Sequence, residues 1–298
     1  MKRKLIELGG SVYVSLPSTY VKSNELKKGQ EINVDNIDNN IVISTSPIVK
    51  ETTRTITINN NFMIGKRYVT ALYRRGIDSI NLNYEGEQTL KAVKKLMDKD
   101  TIGYEIIKQT KNSITIKDFS VKSTNEFSNI IRRMWLILLE NSKELIKTVE
   151  SKEFQSLNMI IARDKDINKF SNYCCRLVFK GSLNSFEKSV IMYNFLRNLE
   201  NISDSFKEIS KYLLEEKINL EEKSVKNLRK TFSILESYYK LFYEFNLHTL
   251  NELVIKIRQI EKGIKLEMKT SKEVRENLYI TGLLKKLDQL ASNFVELN

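Results

Sequence analysis

The chain has 298 residues, 41% of them hydrophobic and 29% charged, with a formal net charge of +12. That length allows two or three domains with cores of their own. No apolar run approaches the roughly 18 to 20 residues that cross a bilayer, and the apolar stretch that a signal peptide needs after Met1-Lys2-Arg3-Lys4 is missing, which predicts a cytoplasmic protein.

The positive balance suits a polyanionic partner such as nucleic acid or an acidic lipid surface. One histidine, His248, and the lack of CxxC or HExxH patterns argue against zinc sites and against most histidine-based catalysis. No nucleophile stands beside a base, so the chain is not expected to be an enzyme. Cys174 and Cys175 are adjacent in a helical stretch, where neighbouring side chains diverge by about 100°. A bridge between them would be strained, and both are expected to be reduced and buried.

Both prolines, Pro17 and Pro47, and seven of the ten glycines precede residue 104. The front of the chain is therefore expected to contain β structure and the back to be all-α. Residues 2–8 and 11–16 alternate like strands around Gly9-Gly10, a short helix starts at Pro17, Gly29 closes a turn, and "EINVD" pairs with "IVIST" across "NIDNN". A unit of this size holds little core alone, which predicts that it shares one with a second copy. The next piece reads as a strand (53–58), a helix (62–75), a strand (79–82), a helix (88–97), and a hairpin of "YEIIKQ" with "SITIKDF" around Lys111-Asn112. This is a small α/β sandwich with no chemistry of its own, expected to be a spacer or a second dimer contact.

Six helices follow, at about 125–149, 153–180, 184–214, 220–245, 248–269 and 272–297. Phe195, Leu199, Ile202, Phe206, Ile209 and Leu213 step by four and three, the spacing of one buried seam in a bundle. Adding 88 gives Leu283, Leu287, Leu290, Phe294 and Leu297, and "IRRMWLIL" at 131–138 resembles "LRKTFSIL" at 228–235. These echoes predict two copies of a three-helix unit. Trp135 and the helically spaced Tyr and Phe belong to the core.

Glu200, Asp204 and Glu208 are spaced by four, and the same offset brings Asp288, Ser292 and Glu296 to the equivalent places. With the seam at a and d, these positions are b, f and c and face outward. Carboxylates recurring on related faces could offer oxygen ligands to a hard cation or iron. A ferritin-like di-iron core is disfavoured, since that needs inward Glu and ExxH pairs.

Two resemblances attach to these residues. Lys2-Arg3-Lys4, Gly9-Gly10, Val12 to Pro17 and Lys27-Lys28-Gly29 resemble the AbrB/SpoVT/MazE family of swapped-hairpin DNA-binding domains, although Ser18 stands where related heads often carry lysine. "LENISDSF" at 199–206, its partner "LDQLASNF" at 287–294 and "RDKDINKF" at 163–170 resemble the motifs of PhoU, the phosphate uptake regulator, with Ser292 and Asn168 in place of aspartates.

The combination is similar to archaeal PhoU-like regulators with an AbrB-type head. It implies a multidomain α+β chain: a swapped-hairpin β domain (1–48), a small α/β domain (49–120) and an all-α double three-helix bundle (121–215 and 216–298). It further implies DNA contacts from Lys2, Arg3 and Lys4, and a divalent metal or iron on the bundle surface held by Glu200, Asp204, Glu208, Asp288 and Glu296. The function implied is a homodimeric, DNA-binding transcriptional regulator of phosphate uptake. The alternative is an adaptor that docks on a phosphate transporter or signalling kinase, its head serving only for dimerisation.

Overall fold

A computed structural model describes residues 3–37, 40–45, 51–59, 62–120, 124–183, 185–216, 220–267 and 271–298. The chain divides into two compact units, Met1–Glu51 and Thr52–Asn298. It joins an N-terminal β region, a small α/β region and a C-terminal helical bundle, and the last two form one body. No described helix is long and apolar enough to cross a membrane.

In the first unit β1 (Ile6–Leu8) pairs antiparallel with β2 (Ser11–Tyr13) around Gly9 and Gly10, both at positive φ, which glycine adopts without steric cost. The helix α1 (Ser18–Ser23) starts directly after Pro17, whose fixed φ suits a helix entry. β3 (Asn33–Ile37) and β4 (Asn40–Ser44) form a second antiparallel pair in the register Asn33↔Ser44 to Ile37↔Asn40. The expected strands of 2–8 and 11–16 are thus shorter. Of the five-residue connection read from "NIDNN", Asn36, Ile37 and Asn40 belong to β3 and β4, and residues 38–39 lie outside the described residues. Tyr20 Oη donates to the Ile43 carbonyl at 2.9 Å and ties α1 to β4.

In the second unit, β5 (Thr53–Ile58), α2 (Phe62–Arg74) and β6 (Ser79–Tyr84) make a parallel crossover. After α3 (Glu87–Asp100), β7 (Tyr104–Gln109) and β8 (Ser113–Asp118) complete a sheet of order β5-β6-β8-β7. Alternation buries Ile56, Ile58, Ile80, Leu82, Ile114 and Ile116 on one face. The other face is polar, with Thr115 Oγ1 donating to Asn81 Oδ1. Gly65 seats α2 on the sheet: a Cβ there would lie 2.5 Å from Ile58 Cδ1.

The bundle comprises α4 (Thr124–Ser151), α5 (Leu157–Phe179), α6 (Phe186–Glu216), α7 (Glu222–Tyr243), α8 (Leu247–Glu267) and α9 (Ser271–Leu297). Local chemistry sets several ends. Ser185 Oγ accepts from the Lys188 N–H and Asn246 Oδ1 from the Thr249 N–H. Beyond α5, Gly181 at φ 82° lets its own N–H and that of Ser182 reach the carbonyls of Val178 and Leu177. α4, α5 and α6 pack mutually, as do α7, α8 and α9, and the triplets meet along α6–α9 and α4–α7. The seam residues Phe195, Leu199, Ile202, Phe206, Ile209 and Leu213 are buried, as are Leu283, Leu287, Leu290 and Phe294. Cys174 and Cys175 are free and buried, and burial holds both thiols well above their ordinary pKa, the Cys175 thiol at about 12.

The α/β layer is no detached spacer. α2 and α3 both pack on α5, so the order of layers is sheet, helix pair, bundle. Arg176, 1% exposed, reaches from α5 to donate to the carbonyls of Tyr73 (2.8 Å) and Ile77 (2.7 Å) and to Asp118 Oδ2 (2.6 Å). Its guanidinium also lies 5.0 and 5.1 Å from the Tyr73 and Tyr104 ring centres. Beside it Lys180 pairs with Asp78. At the other end of the contact Lys169 Nζ and Asn172 Nδ2 donate to the Asp98 and Asp100 carbonyls, serving the C-terminal carbonyls of α3.

Burial alone would raise the Asp78 pKa, but the ammonium of Lys180 and the N–H and hydroxyl of Thr52 outweigh it and leave the carboxyl below its ordinary value. A depressed folded-state pKa contributes stability that is complete above the unfolded value of about 3.9 and is lost as the pH falls through the folded one. Asp78→Asn is therefore expected to destabilise the protein at neutral pH, with the gap to wild type closing below about pH 4. Urea unfolding across pH checks this; a gap independent of pH would refute it.

Candidate functional site

The repeated carboxylates divide by what surrounds them. Glu208 and Glu296 are exposed, and Asp288 is paired by Arg258 at 3.0 Å. Glu296 accepts from Asn293 Nδ2, which belongs to a polar contact between α6 and α9 through Asn198. Asp204 pairs with Lys207, and Lys207 Nζ also donates to Asp164 Oδ2 at 2.7 Å. Asp164, from the α5 motif, is 2% exposed and further accepts from Ser203 Oγ and Asn168 Nδ2. Burial would lower the Lys207 pKa, and the carboxylates of Asp164 and Asp204 reverse this and hold the ammonium above its usual value.

Glu200 corrects the expectation of an outward row. Its side chain is only 13% exposed, and Arg197 Nη2 lies 2.8 Å from its Oε2. Burial raises its pKa; Arg197 and Arg74 oppose that shift, and Asp204 and Asp164 add to it. Arg74 of α2 shares its surroundings, a neighbour that no heptad assignment of α6 could include.

These oxygens do not fit a hard cation as they stand. Calcium takes six to eight oxygens and magnesium an octahedral set, whereas Arg197, Lys207 and Arg258 already neutralise Glu200, Asp204 and Asp288. Among the described residues no group of three or more His, Cys, Asp or Glu is gathered for a metal. Arg3 and Lys4 are exposed just ahead of β1, and Lys2 lies outside the described residues.

The carboxyl of Glu200 opens instead onto a cleft of about 390 Å³ between the α/β layer and the bundle, within the usual range for ligand sites. Four helices line it, each with a stripe at helical spacing: Arg67, Thr70 and Arg74 from α2; Lys95, Leu96, Lys99 and Asp100 from α3; Asn168 and Asn172 from α5; Arg197 and Glu200 from α6. Five cations face two carboxylates. Of the cations only Arg197 forms an ion pair with a described residue. Arg74 Nε and Asn168 Oδ1 are buried without a hydrogen-bond partner among the described residues. Such orphaned groups are costly, about 1–3 kcal/mol each, unless a solvent or ligand atom meets them.

Sequence reasoning missed this cleft. Its lining spans residues 67 to 200, and each stripe taken alone reads as a solvated helix face.

No family model matches the chain, and no curated protein matches it. Among solved structures it is similar to the phosphate transport system regulatory protein PhoU from Streptococcus pneumoniae. The two are 16% identical, the match covers 58% of this chain and 90% of that one, and the TM-score is 0.45.

Proposed function

We propose that the protein is a non-catalytic, homodimeric regulator of phosphate homeostasis, in which the β unit joins two copies and the helical body meets a protein partner. The observation that carries the dimer is the state of the β unit. None of the residues of β1, β2 or α1 is buried. Leu5, Leu8, Val12 and Ile41 are exposed by 74%, 67%, 66% and 70%. A two-stranded sheet is marginal by itself, and these apolar side chains, which lie on both faces of β1-β2 and on β4, are of the kind that an identical unit covers across a two-fold axis, in the manner of a swapped hairpin. The phosphate assignment is supported by the likeness of "LENISDSF", "LDQLASNF" and "RDKDINKF" to PhoU motifs. The partner contact is supported by exposed apolar side chains on the last helix pair, Leu247, Ile255 and Val295.

A second reading, in which the β unit also binds operator DNA, is favoured by exposed Arg3 and Lys4 at the start of β1, doubled in a dimer. Phosphate contacts from such residues would make binding fall steeply with salt.

Val12→Asp and Ile41→Asp place charge on side chains that water already reaches in a single chain. They are expected to leave the helical content unchanged and to halve the mass of the full-length protein measured by light scattering. A wild-type monomer, or variants that remain dimeric, would overturn the dimer. Anisotropy titrations of full-length protein with duplex from upstream of a phosphate-transport operon and with scrambled duplex then separate the readings. Preference for the former, reduced by Arg3→Ala and Lys4→Ala, belongs to the DNA reader; a dimer without that preference belongs to the adaptor.

A further inference from the structure

We propose that the cleft between α2, α3, α5 and α6 is a binding site for a compact phosphoryl oxyanion, which the protein holds between its α/β layer and its bundle. The inference rests on the cleft's own groups and stands or falls apart from the regulatory reading. Arg67, Arg74, Lys95 and Lys99 converge there from two helices, and none of them forms a salt bridge with a described residue, Arg74 acting on the Glu200 carboxyl only through the field of its charge. Like charges brought together this way repel one another, and an anion shared between them removes that repulsion. Two of them are arginines, whose planar forks match the spacing of phosphate oxygens, and Arg74 Nε is a buried donor with no acceptor among the described residues.

The lining also says what the ligand is not. Among the described residues it contains no aromatic side chain and one leucine, Leu96, so it offers little apolar surface to a base or sugar. The volume corresponds to roughly a dozen waters at ~30 Å³ each, enough for a short chain of phosphoryl groups as well as for a single one.

Glu200 supplies selectivity. A carboxylate on the wall of a cationic site repels a fully deprotonated anion, yet it accepts a hydrogen bond from the P–OH of hydrogen phosphate. Sulfate at neutral pH carries no such proton. The site is thus built for phosphate over sulfate, with Arg197 holding the Glu200 carboxyl at the wall.

Isothermal titration of the full-length protein at constant ionic strength, with inorganic phosphate, pyrophosphate, ATP and sulfate as separate titrants, tests this. Saturable binding of at least one phosphoryl titrant is expected, with sulfate bound at least about tenfold more weakly than phosphate, as a lost hydrogen bond to a charged group implies. The strongest of the three phosphoryl titrants identifies the source. Arg67→Ala and Lys99→Ala, both at the rim, should each weaken binding about tenfold without changing the circular dichroism. Glu200→Gln should bring sulfate and phosphate to within about threefold of each other, because an amide can donate to either anion. The proposal fails if no phosphoryl titrant saturates, if sulfate binds as tightly as phosphate, or if affinity is indifferent to Arg67→Ala and Lys99→Ala.

Discussion

Replacing Arg176 by methionine is expected to cost about 3–5 kcal/mol of folding stability, the usual consequence of removing one partner from a buried ion pair. The arginine is 1% exposed and its Asp118 partner 6%, so the aspartate left behind would be a buried charge short of its main donor. The carbonyls of Tyr73 and Ile77 would lose their Arg176 donor at the same time, although Tyr104 Oη still donates to Ile77 at 2.5 Å.

Lysine is a poor substitute here, because one ammonium cannot serve two carbonyls and a carboxylate on opposite edges of a planar fork. Arg176→Lys is expected to recover less than half of the loss. Urea unfolding measures the cost, and limited proteolysis shows where it falls. Cleavage should appear first at the end of the α/β layer, near Phe119 and Ser120, next to the Asp118 partner of Arg176. A change below about 1 kcal/mol would mean that the layer is held by apolar packing and that the ion cluster is incidental.

Trp135→Ala is expected to be equally severe, about 3–5 kcal/mol, from lost burial and the cavity left behind. The indole is fully buried, about 6.1 Å from the rings of Phe195, Tyr239 and Phe242. Phe195 in turn stacks on Phe242 at 5.1 Å and meets Phe294 edge-on at 5.8 Å. Aromatics from α4, α6, α7 and α9 thus form one cluster shared by both helix triplets. The loss should shift one unfolding transition of the whole bundle rather than split it in two. Trp135→Phe keeps most of the ring and removes an indole N–H that has no acceptor among the described residues. It should cost less than about 1.5 kcal/mol. Helical ellipticity against denaturant is the measurement, since the variants lose the only tryptophan. A Trp135→Ala loss under 1 kcal/mol, or two separated transitions, would show that the triplets are independent.

By itself the sequence determined much of what depends on the few residues around it, although β1 and β2 are shorter than their alternation suggested. β5 and β7 begin and end where the alternation does, the bundle helices lie within a few residues of their apolar stripes, and the seam through Phe195, Leu199, Ile202 and Phe206 is buried. Period and punctuation are local properties, set by the rise and turn of one element and by residues such as Pro17, Ser185 and Gly181.

Only the tertiary structure decided the surroundings of the second face of each helix. The heptad of α6 puts Glu200 off its own seam, yet the side chain is largely buried beside Arg197 and near Arg74 of α2, because a heptad describes a helix against its own seam and nothing beyond. Arg176 reads in sequence as one more basic residue near a helix end. It becomes a clamp because Tyr73, Ile77 and Asp118, about 60 to 100 residues away in the chain, arrive together around it. The basic cleft arises in the same way. Four solvated-looking stripes on four helices carry no joint signal until docking of the sheet layer onto α5 brings their charges around one cleft, where the like charges act on one another.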